Sequence, residues 1–272
     1  MTASGGADRP VGIFDSGIGG LTVMHALMDR LPGEALVYFG DTARVPYGPK
    51  SPATVTRFAI ENVELLVGYG VKAVVVACNT ATAHALDTLR ERFDLPIVGV
   101  VGPGARAAVA ATRSGRVGVI GTHGTIASGA YERSLKALRP DIEVVSRACP
   151  LFVPLAEEGL IDHPAARLIA EEYLAPLRDE EIDTLILGCT HYPLLEGVIG
   201  ETLGAGVRLI DSAEETARET ATLLVERGLA GARNEPAHRW LVSDLPDQFL
   251  RVGGRFLGGR IGGVEVVSAG AT

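Results

Sequence analysis

Residues 73–80 read AVVVACNT, and residues 184–191 read TLILGCTH. In both segments an unbroken apolar run ends in a cysteine that small polar residues follow. Such a run is typical of a parallel strand covered by helices on both faces. A second pair of similar segments, PVGIFDSG (10–17) and RVGVIGTH (116–123), occurs in the same order and at a similar offset. The repetition predicts two related halves with one of these cysteines in each.

Apolar runs of this kind recur along the chain, and helical stretches separate them. Such alternation of strands and helices predicts an α/β fold with parallel sheets. Within a helical stretch, Ser212-Ala-Glu-Glu215 has the pattern of a capping box. The apolar runs are VGIF (11–14), LVYF (36–39), AVVVA (73–77), IVGVV (97–101), VGVI (117–120), EVV (143–145), TLILG (184–188), VRLI (207–210), RWLVS (239–243) and VEVVS (264–268).

The repeat and the tail together predict the domain boundaries. Residues 102–211 form the second α/β domain, and residues 1–101 with 212–272 form the first, because the tail supplies helices and two further strands that return to it. Each domain carries a cysteine at the carboxyl end of a strand, the edge where open α/β sheets bind ligands. Two such edges that face each other make a cleft.

Composition excludes several classes of function. The chain has 272 residues and a formal net charge of −8, and its 25 Lys and Arg residues are scattered, which argues against nucleic-acid binding. No stretch offers about 18 uninterrupted apolar residues for a membrane span, and residues 1–10 lack the apolar core of a signal peptide. We therefore expect a cytoplasmic protein with no membrane partner. Its three cysteines are expected to be reduced.

Cys78 and Cys189 are the candidate nucleophiles or bases. Each follows a predicted strand, and we expect each to stand at a helix N-terminus, where backbone N–H groups and the helix dipole lower a thiol pKa. A lone cysteine is more often a small buried hydrophobe, but matched positions in a repeat are poorly explained by packing. Cys149 precedes Pro150, which lacks an N–H, and is interpreted as structural.

Other polar residues follow predicted strands and are candidates for the same cleft. Asp15 and Ser16 begin a glycine-rich turn whose spacing is not that of a dinucleotide or P-loop motif. Tyr47 and Gly48 lie in a loop that starts at Asp41, and the polar groups of that loop could face the cleft. Read singly, each is a turn or a packed residue.

His191 lies two residues after Cys189 and could assist proton transfer. Glu157 and Glu158 are upstream carboxylates that could orient its imidazole, and the sequence leaves the choice between them open. A metal site is a competing interpretation, but the CNT and CTH segments lack the spacing of a zinc site. We expect no metal.

With these residues assembled, the chain resembles the glutamate racemases of the aspartate/glutamate racemase superfamily over nearly its whole length. The resemblance rests on four motifs in the family order: FDSGIGG (14–20), DTARVPYG (41–48), ACNTA (77–81) and GCTHYP (188–193). It implies two similar parallel-sheet α/β domains related by a pseudo-twofold, with the active site between them. It also implies an isomerase that needs no cofactor, takes glutamate as its substrate and is commonly a homodimer.

The resemblance further implies a role for each motif residue. Cys78 is the base toward D-glutamate, with Asp15 beside it, and Cys189 is the base toward L-glutamate. His191 and Glu157 assist Cys189 as catalytic residues. The residues expected to bind the substrate are Asp15, Ser16, Tyr47, Gly48, Asn79, Thr80, Thr190 and His191. The D-glutamate formed would supply peptidoglycan synthesis and so support cell-wall biogenesis and cell shape.

Three other functions stay open from the residues alone. Aspartate or hydantoin racemases and decarboxylases of the superfamily share cysteine chemistry, and discrimination between substrates of different length cannot be read from sequence. A thiol hydrolase would use Cys189 and His191 but leave Cys78 without a role. A noncatalytic small-ligand binding protein would keep the anion-binding helix termini yet need no reactive thiols.

Overall fold

The computed structural model describes residues 6–257 and 259–270, without the side chain of Arg255. In this part of the chain it contains ten strands, and each of the ten predicted runs forms one. The strands are β1 (Val11–Asp15), β2 (Leu36–Gly40), β3 (Ala73–Val76), β4 (Ile97–Gly99), β5 (Arg116–Gly121), β6 (Glu143–Ala148), β7 (Thr184–Gly188), β8 (Arg208–Asp211), β9 (Arg239–Val242) and β10 (Val264–Val266).

Helices connect the strands and cover the sheets. They are α1 (Leu21–Arg30), α2 (Pro52–Gly68), α3 (Asn79–Arg92), α4 (Val101–Ala111), α5 (His123–Ala127), α6 (Ala130–Leu138), α7 (Phe152–Glu158), α8 (Pro164–Asp179), α9 (Glu196–Leu203), α10 (Ser212–Glu226) and α11 (Pro246–Phe256). A 3₁₀ turn covers Tyr192–Leu195. None of the described helices is long and apolar enough to cross a membrane.

Two details differ from the prediction. The capping box does not form, because the carboxylate of Asp211, one residue earlier, accepts the N–H of Ala213 at 2.9 Å and caps α10. The run 97–101 ends as a strand at Gly99, and Val101 already begins α4. In both cases the helix begins at the carboxyl end of a strand with almost no connecting loop, so the strand's last residues serve as the helix start.

The strands form two parallel sheets with the same internal order. The first sheet has the order β10-β9-β2-β1-β3-β4, and the second has the order β6-β5-β7-β8. Each sheet therefore contains a four-strand unit in which the second strand of the chain lies outside the first, and the third and fourth follow on the other side. This confirms the predicted α/β fold of two similar parallel-sheet units.

The C-terminal tail returns to the first sheet, where β9 pairs with β2 and β10 pairs with β9. Helix α10 packs against both α1 and α4, so it lies at the junction of the two units. The domain boundaries at residues 101/102 and 211/212 stay a prediction.

Each sheet has a hydrophobic core on both faces. In β1, Ile13 and Phe14 are both fully buried and belong to different core clusters on opposite faces. In β5, Val119 and Ile120 divide in the same way. Because the strands are parallel and buried on both faces, their carboxyl ends meet at one edge of each sheet, and polar residues are concentrated there.

Candidate active site

The two cysteines of the repeat lie at the carboxyl ends of equivalent strands. Cys78 follows β3 and Cys189 follows β7. Both are buried, with 5% and 6% of their surface exposed. A charge on Cys189 contributes to the pKa of Cys78, although the two cysteines follow strands of different sheets.

Cys78 caps helix α3, as expected. Its Sγ accepts a hydrogen bond from the N–H of Ala81 at 3.5 Å. The expected lowering of its pKa is nevertheless wrong. Burial, together with the negative charge of Asp15, raises the pKa of Cys78 to about 12, and the hydrogen bonds from Ala81 and Ser16 only partly oppose this rise. Desolvation outweighs the helix terminus here because the thiolate would be fully removed from water.

The expectation that Cys189 also stands at a helix N-terminus is wrong. After Cys189 the chain makes a turn and a 3₁₀ segment at Tyr192–Leu195, and α9 begins only at Glu196. A side chain takes the place of the helix, because Nδ1 of His191 lies 3.8 Å from Cys189 Sγ. The partner of this thiol is therefore an imidazole and not a set of backbone amides.

The imidazole of His191 is held from its other side by Glu157. Its Nε2 lies 2.9 Å from Oε1 of Glu157, and His191 is 3% exposed. Burial alone would lower the pKa of His191, but Cys189 and Glu157 raise it to about 10. The imidazole is therefore protonated at neutral pH. Glu158, the alternative carboxylate, is exposed, so the structure selects Glu157 as the contact.

Asp15 connects the two halves of the site. It ends β1 with no exposed surface, its Oδ2 accepts the N–H of Gly17 at 3.0 Å, and its Oδ1 accepts the hydroxyl of Thr190 at 3.4 Å. Burial raises the pKa of Asp15, and the positive charge of His191 opposes this rise. A carboxyl group with a raised pKa beside Cys78 can hold or release a proton.

The glycine-rich turn after β1 allows this close approach. A Cβ on Gly19 would lie 2.6 Å from Nδ1 of His191 and would also overlap the hydroxyl of Thr190. A Cβ on Gly20 would lie 2.5 Å from the Cβ of Asp15. Gly19 therefore admits residues of the second half of the chain, and Gly20 lets the turn close against Asp15 of the first half.

Asn79 and Thr80 follow Cys78 and contact residues that the sequence analysis did not name. The Tyr131 hydroxyl donates to Oδ1 of Asn79 at 2.6 Å.

The Thr80 hydroxyl lies 2.9 Å from that of Thr122 and 3.1 Å from that of Thr125. Thr122 occupies the same place in the repeat as Ser16, so the repeat itself contained the signal for it. No comparable signal marks Tyr131.

The loop of Tyr47 and Gly48 is held by its own polar groups. The Tyr47 hydroxyl donates to Asp41 and accepts from Asn62 at 3.0 Å, and Arg44 pairs with Asp41 at 2.6 Å. Burial and Asp41 raise the pKa of Tyr47. The hydroxyl expected to face the cleft is thus already hydrogen-bonded to Asp41 of the loop and to Asn62 of α2.

Gly48 lies against the second half of the chain. Its carbonyl accepts the N–H of Gly124 at 2.9 Å, and a Cβ on Gly48 would lie 2.7 Å from that of Thr122. The main chain of the loop therefore reaches the segment of Thr122 and Gly124 in the second half.

Cys149 follows β6 and belongs to the same hydrophobic cluster as Cys189. It is fully buried, its Sγ approaches the carbonyl oxygen of Arg147 at 3.8 Å, and burial raises its pKa to about 12. Among the residues that the structure describes, no group of three or more His, Cys, Asp or Glu side chains is placed to hold a metal ion.

Comparison with known proteins gives one consistent family. The sequence model of the Asp/Glu/Hydantoin racemase family matches residues 20–220. A glutamate racemase from Geobacter metallireducens is 57% identical over 261 residues, which cover 96% of this chain and 97% of the relative.

Solved structures agree with the sequence comparison. A glutamate racemase isoform from Bacillus anthracis has a TM-score of 0.93 at 44% identity, covering 96% of this chain and 98% of that one. A glutamate racemase from Francisella tularensis in complex with D-glutamate has a TM-score of 0.92 at 40% identity, covering 98% of this chain and 100% of that one.

Proposed function

The chain belongs to the Asp/Glu/Hydantoin racemase family, and from this premise we propose that it interconverts L-glutamate and D-glutamate without a cofactor. The observation that carries the proposal is the pair of buried cysteines at equivalent strand ends, each with an ionisable neighbour: Asp15 beside Cys78 and His191 beside Cys189. The similarity to glutamate racemases, one of them solved with D-glutamate, supports the choice of substrate.

The different surroundings of the thiols suggest the order of proton transfers. Cys189 has Nδ1 of His191 3.8 Å from its sulfur and is assigned as the base of the first step, while Cys78 keeps its proton because its pKa is raised. This state is ready for L-glutamate: Cys189 removes the α-proton, and the Cys78 thiol delivers its own proton to the opposite face. One C–H bond breaks and one forms, and the enzyme is left with a Cys189 thiol and a Cys78 thiolate.

That second state is the one ready for D-glutamate, for which Cys78 is the base. Asp15 is the neighbouring carboxyl that can assist proton return to Cys78. Glu157 keeps the imidazole of His191 oriented toward Cys189. Because no electron sink takes part in this scheme, hydrogen-bond donors around the substrate must stabilise the carbanionic transition state.

The substrate would be held by polar groups around the two thiols. The α-carboxylate, the ammonium and the side-chain carboxylate need donors and acceptors within a closed space, and water must be excluded during transfer. Both cysteines are already almost inaccessible in this structure, so opening of the two halves has to precede binding. The residues we assign to binding are Asp15, Ser16, Tyr47, Gly48, Asn79, Thr80, Thr190 and His191.

The wider setting follows from the reaction. D-Glutamate is a component of bacterial peptidoglycan, so we propose that the enzyme supplies D-glutamate for peptidoglycan synthesis. It would do so in the cytoplasm, and its activity would support the cell wall and cell shape.

We further propose a homodimer, as is common in this family. Analytical ultracentrifugation of the purified chain tests the last point.

An isotope experiment tests the proposed reaction. L-Glutamate is incubated with pure enzyme in deuterated water without added cofactor, and the enantiomers are separated at low conversion for mass spectrometry. The two-cysteine mechanism predicts deuterium at the α-carbon of D-glutamate and almost none in the remaining L-glutamate. Equal labelling of both, or an unlabelled product, contradicts it. Parallel reactions with L-aspartate test the choice of substrate.

A further inference from the structure

Tyr131 lies between the two segments that carry the thiols, although it belongs to neither of them. It is on α6 and is 2% exposed. Its ring packs on Gly188, the residue before Cys189, because a Cβ there would lie 3.1 Å from Cε2 of the ring. Its hydroxyl donates to Asn79, the residue after Cys78. One buried side chain therefore contacts the neighbours of both thiols.

A second contact of the hydroxyl defines the direction of this hydrogen bond. Oγ of Ser212, at the start of α10, lies 3.2 Å from the Tyr131 oxygen. A phenol has one proton, and its shorter contact, 2.6 Å, is to the carbonyl oxygen of Asn79. Ser212 is then the donor to Tyr131, and the chain of hydrogen bonds ends at Oδ1 of Asn79.

This hydrogen bond determines where the other end of the amide points. The oxygen and the NH₂ group of the side-chain amide lie in one plane, on opposite sides of the Cβ–Cγ bond, so engaging Oδ1 fixes the direction of Nδ2. Within residues 6–257 and 259–270, Nδ2 of Asn79 donates to no protein acceptor. It is also not among the inaccessible side-chain atoms that lack a hydrogen-bond partner, so it keeps some accessible surface. The NH₂ group is free to donate to a ligand.

We propose that Tyr131 is a positioning residue that presents the NH₂ group of Asn79 to a carboxylate of the amino acid bound between Cys78 and Cys189. The inference rests on the proposed function and extends it to a residue outside the four sequence motifs. A carboxylate only accepts hydrogen bonds, so a reversed amide would place oxygen against oxygen. Holding the amide in one orientation replaces this repulsion with a hydrogen bond.

The first test removes only the hydroxyl. Tyr131→Phe keeps the ring against Gly188, and we expect kcat/KM for glutamate to fall about tenfold, mostly through a higher KM. Tyr173→Phe is the matched control, because it also removes a tyrosine hydroxyl, one that accepts the N–H of Leu151 at 3.4 Å. The control should retain wild-type kinetics. Wild-type kinetics in Tyr131→Phe, or loss of its folded state in thermal unfolding, would overturn the inference.

A double-mutant cycle separates positioning from packing. Asn79→Ala should weaken glutamate binding, and adding Tyr131→Phe to it should cause no further loss, because no amide remains to be oriented. Losses that multiply would overturn the positioning role. If the wild-type enzyme does not racemise glutamate, the proposed function fails as well. An active wild type with multiplying losses overturns the role of Tyr131 alone.

Discussion

Cys78 and Cys189 occupy equivalent places in the four-strand units that the two sheets share, yet their surroundings differ. Cys78 caps a helix and lies beside a buried carboxyl group, whereas Cys189 lies in a turn beside a protonated imidazole. The repeat thus supplies the positions of two sulfurs, and their local neighbours give the two thiols different electrostatic surroundings. Racemisation needs this asymmetry, because one thiol and one thiolate must act at once.

The largest expected effect comes from removing either thiol. Cys78→Ala and Cys189→Ala should each lower racemisation by about 10³-fold or more, because in the proposed mechanism each deletes a group that transfers a proton. The reaction starts from one enantiomer of glutamate in excess over the enzyme, and circular dichroism follows the loss of that enantiomer. Cys149→Ala is the control, with activity kept and stability lowered by about 1 kcal/mol for the lost packing. Substantial turnover by either single variant would contradict the two-base assignment.

The next largest effect is expected where Gly19 of the first half lies against His191 and Thr190 of the second half. Gly19→Ala should reduce kcat/KM by about 10²-fold, because the new methyl group would overlap His191 and Thr190 and displace the imidazole from Cys189. Gly197→Ala is the matched control on α9, where a Cβ meets no atom within 4 Å, and it should leave activity unchanged. Equal kinetics of the two variants would show that this approach of the halves is unimportant.

Thiol alkylation measures the difference between the two sulfurs directly. At neutral pH, iodoacetamide should modify Cys189 about tenfold faster than Cys78, because the two are equally buried and only Cys189 has an imidazolium beside it. Peptide mapping by mass spectrometry gives both rates in one sample. His191→Asn should remove most of the difference by slowing Cys189. Faster modification of Cys78 would reverse the assignment of acid and base.

The smallest effect is on the pH dependence of stability. The pKa of His191 is raised from 6.5 to about 10 in the folded state. Its contribution is therefore complete below pH 6.5, declines as pH rises and is lost above about 10. In urea unfolding, the wild type should exceed His191→Asn by about 1 kcal/mol more at pH 6 than at pH 10. A difference that stays constant with pH would show that the imidazole is not protonated.

The sequence and the tertiary structure each determined a different part of this molecule. The sequence by itself determined the ten strands, the two related halves and the positions of both cysteines, because a strand buried on both faces must be an unbroken apolar run. It also indicated Thr122 through the repeat, although that residue was not named. The pKa of Cys78 was misjudged, because the sequence shows a helix start but not how completely burial removes the thiol from water.

Only the tertiary structure decided which partners each thiol has. His191 meets Glu157 across 34 residues of chain, and Tyr131 meets Asn79 across 52. The choice between Glu157 and Glu158 depends on which side of α7 faces the site, and the turn after Cys189 replaces the predicted helix start. The physical reason is the same in each case: hydrogen bonds and desolvation depend on groups that come together only when the helices pack around both sheets.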